Sequence, residues 1–147
     1  MSKETLHLES EAIRQRIVQL IAFCHDRNAG FDCSDCQCGE GEKLNCTKQV
    51  ESEVGQIFFD IYEHFHNEEN LMRLSEVECL DQTHFEGHRA EHRKIISDLQ
   101  QLAEVMEVKS SGDIVSLMHD KILPALGAHE KNFDARLYQL IGCSRQQ

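Results

Sequence analysis

The sequence contains no tryptophan, one proline and only 6% aromatic residues. With a single proline, the commonest interrupter of helices is almost absent, so long helices are permitted nearly everywhere. Long apolar runs are missing too. The longest, residues 17–24, falls far short of the about 20 residues of a helical membrane span. Met1 is followed by polar Ser-Lys-Glu-Thr instead of a basic segment and an apolar signal core, which gives the expectation of a cytoplasmic protein. Cations are scarce: 15 Lys and Arg against 26 Asp and Glu leave a net charge of −11. That sign repels phosphate backbones and anionic lipid, so neither nucleic acid nor a membrane surface is expected as a partner. No stretch alternates at period two long enough to suggest a sheet.

What is present is helical periodicity. Apolar residues at spacings of three and four predict an all-α chain, folded as one domain over residues 1–147. The first helix is expected over residues 2–27 on Leu6, Ile13, Ile17, Leu20, Ile21 and Cys24. The second covers residues 47–74 on Val54, Ile57, Ile61, Phe65 and Met72, and the third residues 87–108 on His88, His92, Ile95, Leu99 and Leu102. Asp113 is the expected N-cap of the fourth, which carries Val115, Ile122, Leu126, Phe133, Leu137 and Leu140, with a kink near Leu123 because Pro124 follows. Four such helices pack best as an antiparallel up-down-up-down four-helix bundle whose centre can hold a metal site. The long first connection, residues 28–46, is a Cys-rich insertion loop.

Nine histidines and seven cysteines stand out. His64 and Glu68, four apart, share the face of Ile57, Ile61 and Met72, while His66 faces away and, like His84, is read as solvated or in a loop. His88 and His92 interrupt the apolar stripe of the third helix. His129 and Asp134 flank that of the fourth, one on each side. Imidazole and carboxylate groups on buried stripes are costly unless they are paired or bind metal.

The strings His64-Phe65-x-x-Glu68-Glu69-x-Leu71-Met72, His88-x-x-Glu91-His92 and Leu126-x-x-His129-x4-Asp134 resemble the hemerythrin family over residues 54–140. The resemblance implies a four-helix bundle around two iron ions in an oxo- and carboxylate-bridged centre. It implies that His88, His92 and His129 hold one iron, that His64 and a histidine of the first helix hold the other, and that Glu68 and Asp134 bridge them. It further implies reversible O2 binding at a vacant coordination position, without enzymatic turnover.

Two choices stay open at this point. His84 with His88 is a competing register for the third helix. The first-helix ligand is His7 or His25: antiparallel neighbours place a partner for His64 near Ser10, which favours His7 by depth, although both histidines point off the apolar stripe.

Cys33-x2-Cys36-x-Cys38-x7-Cys46 is a second candidate site for zinc, an iron–sulfur cluster or redox chemistry. An added thiol cluster favours an oxygen or redox sensor with a signalling partner or output domain over a bulk carrier. Two other classes compete. A ferritin-like di-iron oxidase would use Glu-x-x-His pairs such as Glu4-x-x-His7 and Glu63-x-x-His66, and a structural zinc domain would use the same His/Glu site without redox chemistry.

Overall fold

The computed structural model describes residues 2–20, 40–109 and 111–145, except for the side chains of 40–45, 111 and 143–145. Every element among the described residues is helical.

Helix α1, Lys3–Gln19, starts at Ser2, whose side chain accepts the backbone N–H of Thr5 at 3.2 Å. The expected extension of this helix to residue 27 lies outside the described residues. Helix α2, Glu40–Leu74, begins earlier than the expected residue 47 and runs for 35 residues, ~52 Å at 1.5 Å per residue. It therefore takes Cys46 out of the proposed loop and onto a helix. Glu76, in the left-handed region at φ 55°, turns the chain into the one-turn helix α3, Val77–Leu80, which periodicity did not predict.

Helix α4, Gln82–Val105, is capped by Asp81, whose carboxylate accepts the backbone N–H of His84 at 3.0 Å. The third helix thus starts before Gly87, and His84 is a helical, half-buried residue, not a loop residue. The periodic signal misses this start because Asp81-Gln82-Thr83 adds no apolar stripe; the cap alone marks it.

Residues 111–145 alternate two hydrogen-bonding patterns. Helix α5, Ser111–Leu117, leads into a π-helical segment, Met118–Ile122. Helix α6, Leu123–His129, leads into a second, Glu130–Asp134, and α7, Ala135–Arg145, follows. Pro124 lies in the first turn of α6. A proline ring collides with the carbonyl four residues back, here in the wide turn Met118–Ile122, so the expected break near Leu123 takes the form of a π-helical segment.

The buried apolar residues divide into two clusters. The larger gathers Ile13 and Ile17 of α1 with Leu20 that caps it, residues of α2 from Cys46 to Phe65, Ile95, Leu99 and Leu102 of α4, and Ile114 to Leu126 of the last run. The smaller gathers Leu6, Leu71, Met72, Val77, Phe85, Leu137, Leu140 and Ile141. In α1, α4 and the last run a polar position separates the members of the two: Ser10, His88 with His92, and His129 with Asp134. In α2 the changeover falls at His64 to Glu68. The core is thus interrupted by one buried polar layer.

Candidate metal centre

His64, Glu68, His88, His92, His129 and Asp134 are all buried, and two groups of them converge: Glu68, His88, His92 and His129 in one, His64, Glu68 and Asp134 in the other. Glu68, completely buried on α2, belongs to both.

In the first group, His88 Nε2 lies 2.8 Å from Glu68 Oε2 and 3.2 Å from His129 Nε2, and His92 Nε2 lies 3.1 Å from His129 Nε2. Glu68 Oε2 is 3.6 Å from His92 Nε2 and 3.7 Å from His129 Nε2. Donor atoms about 2.1 Å from one ion stand ~3.0 Å apart at a right angle and ~3.4 Å apart in a tetrahedron, so these separations suit a common ion. On the other side, Glu68 Oε1 lies 2.7 Å from His64 Nε2. The two oxygens of one carboxylate are therefore divided between the two groups. Asp134 Oδ1 approaches His88 Nε2 at 3.2 Å and His129 Nε2 at 3.1 Å.

The tautomers follow from the atoms behind the rings. His64 Nδ1 faces Glu9 Oε2 at 3.2 Å and His92 Nδ1 faces Glu69 Oε2 at 3.2 Å. An ionised carboxylate only accepts, so in each neutral ring the proton sits on Nδ1 and Nε2 turns a lone pair inward. His88 Nδ1 is backed by His84 Nε2 at 3.2 Å. The carboxylates are fixed in turn: Asn67 donates to both oxygens of Glu9 at 3.2 and 3.4 Å, and Arg89 donates to Glu69 at 3.0 Å. Phe65 stacks on the His92 ring, 4.0 Å between centroids and 9° between planes, which blocks rotation of that imidazole.

Two of the inward oxygens, Glu68 Oε1 and Asp134 Oδ1, have neighbouring nitrogens but no hydrogen bond, and both are fully buried. Leaving such acceptors unmet costs about 1–3 kcal/mol each. A cation shared with the facing lone pairs removes that cost, so the donor set fits a metal.

The spacing of His129 and Asp134 is explained by the second π-helical segment. In an α-helix, residues five apart diverge by about 140°. The Glu130–Asp134 segment closes its turn at i→i+5, which stacks the two side chains and brings Asp134 Oδ1 within 3.1 Å of His129 Nε2. The two residues expected on opposite flanks of a stripe meet on one face.

No family model, curated protein or solved structure matches the chain. The site is therefore read from its own residues.

Of the sequence-derived residues, His64, Glu68, His88, His92, His129 and Asp134 come together. His88 with His92 is the register that enters the core, and His84 stands behind His88. His7 is not brought in: its side chain is 52% exposed and lies 3.5 Å from Glu130. The α1 residues at that depth that face the site are Glu9 and Ser10. His25, the alternative, lies outside the described residues. Glu4, His7, Glu63 and His66 are exposed, so the two Glu-x-x-His strings point away from the centre. Cys33, Cys36 and Cys38 lie outside the described residues, and Cys46 is a buried member of the larger apolar cluster. Glu9, which was not singled out in the sequence, and Glu69 and Ser10, named there only as a motif position and a helix level, also stand at the site.

The charges agree with the geometry. Burial would raise the Glu68 carboxyl, but the four surrounding imidazoles hold it well below the usual carboxylate range. Burial lowers His129, yet Asp134 and Glu68 outweigh it and push its pKa up to about 9. His88 and His64 are raised against burial in the same way, chiefly by Asp134 and Glu68 respectively. Without a cation, protons take its place in the cluster.

Proposed function

We propose that the chain is a non-haem di-iron protein that binds O2 reversibly, as the likeness of its motifs to the hemerythrin family implies. The observation that carries the reading is the division of the Glu68 oxygens, Oε2 among His88, His92 and His129 and Oε1 beside His64, which suits a carboxylate bridging two ions. Asp134 would be the second bridge. Two iron ions would supply redox capacity and an exchangeable coordination position.

The chain's own residues account for the rest. Three imidazoles surround the first position and only His64 serves the second, so the second has fewer protein donors and is the place for an exchangeable ligand. Imidazole with carboxylate suits iron. A mononuclear zinc site would use Glu68, His88, His92 and His129 but would leave His64, Asp134 and the second Glu68 oxygen without a role. The alternation of cluster membership along α1, α2, α4 and the last run supports four helices running alternately up and down. The cysteines at 33, 36 and 38 favour an oxygen or redox sensor, coupled to a signalling partner, over a bulk carrier.

Metal analysis with optical spectra of the anaerobic and aerated protein tests this. Two iron ions per chain and an absorption change on aeration that reverses on removal of O2 are expected. Zinc alone, with no such change, would instead favour the structural metal domain.

A further inference from the structure

A small cavity, about 10 Å³, lies against the centre and is lined by Ser10, Ile13, Ile61, His64, Phe65, Leu126, His129 and Asp134. That is room for about one water-sized group. Four of its walls, Ile13, Ile61, Phe65 and Leu126, offer no hydrogen bond. Its polar members other than Ser10 all belong to the metal-binding set.

Ser10 differs from them. It is 8% exposed and its hydroxyl has one partner, Glu130 Oε2, at 3.5 Å, the outer limit of a hydrogen bond. Glu130 is already engaged by Arg14 at 3.3 Å and by His7 at 3.5 Å, so it does not depend on the serine. A buried hydroxyl so weakly held can turn its proton toward the cavity. A wider pocket of about 490 Å³ between α1 and α2 has Ile13 and His64 in common with the cavity.

We propose that Ser10 donates a hydrogen bond to the outer atom of a small accepting ligand, of two or three atoms, bound on the His64 side of the centre. The proposal rests on the metal reading above. Ser10 selects ligands that carry negative charge, since hydrogen bonds to charged acceptors are roughly twice as strong as neutral ones. The apolar walls keep competing water out.

The test compares the iron-loaded parent with Ser10→Ala, using azide as an anionic acceptor on the ferric protein and nitric oxide as a poor acceptor on the ferrous protein. Expected are unchanged iron content, azide affinity weakened about tenfold, and nitric oxide affinity changed less than about twofold. Equal changes for both ligands would reduce Ser10 to a shaper of the cavity and overturn the proposal, as would an unchanged azide affinity. Loss of iron in Ser10→Ala would also overturn it, by making the serine part of the metal support. A parent without iron overturns the metal reading itself, and is recognised before any ligand is added.

Discussion

At the scale of single residues, the side chains behind the ligands do as much to define the centre as the ligands. Glu69 holds the proton of His92 on Nδ1, and its own carboxyl is held down at about 2 by His92 first and Arg89 second. Removing it frees the ring to change tautomer. Glu69→Ala is expected to weaken metal binding about 10–100-fold while leaving the fold intact, as read by competition with a chelator of known affinity. Glu68→Ala removes a donor from both groups, so iron should fall to a small fraction of the parent's content by elemental analysis. Both glutamates stand in the resembling motif, but only for Glu68 was a role legible in the sequence. Its spacing from His64 put it on a buried stripe, whereas Glu9 and Glu69, 27% and 21% exposed, belong to the margin between faces where periodicity carries no information. Ser10 escaped for another reason: a small hydroxyl in a helix is compatible with any environment.

Helices show where hydrogen bonding overrides side-chain pattern. The spacing of His129 and Asp134 works only because Glu130–Asp134 is wound as a π-helix. Deleting Lys131, an exposed residue of that segment, should let an ordinary α-turn form in which His129 and Asp134 stand four apart, about 40° around the axis and so still on one face. Helix content by circular dichroism and iron content are then both retained, and loss of iron with the helix intact would remove the π-segment from the account. Nothing in the residue types of 130–134 announces such a turn, and so the sequence left His129 and Asp134 on opposite flanks. Boundaries were less legible than faces: the Asp81 cap and the Glu76 turn rest on one residue each, while the stripes of α2 and α4 rest on many. Gly55 offers an independent check on α2. It is exposed within the helix with open space where a methyl would stand, so Gly55→Ala should stabilise the protein by ~0.5–1 kcal/mol in a denaturant titration.

For the whole molecule the consequences concern pH and cohesion. Without metal, the raised His129 pKa of about 9, against 6.5 unfolded, contributes stability that is complete below 6.5 and is lost as pH rises toward 9. With metal the imidazoles must be unprotonated, so the gain from binding grows over the same interval. Thermal melts between pH 6.5 and 9 should therefore fall for the metal-free protein, with the difference between loaded and metal-free forms widening. A difference that is constant with pH would contradict the exchange of protons for metal.

The polar layer has one more effect. It parts an extensive apolar cluster from a lesser one made of Leu6, Leu71, Met72, Val77, Phe85, Leu137, Leu140 and Ile141. Each has its own apolar contacts, and the side chains between them attract one another strongly only when their charges are balanced. A stripped protein is then two folding units that share helices, and amide protons around Val77 and Phe85 should exchange with deuterium sooner than those around Ile57 and Leu99. Bound metal would act as a rivet through the seam, and the two exchange rates should converge on it.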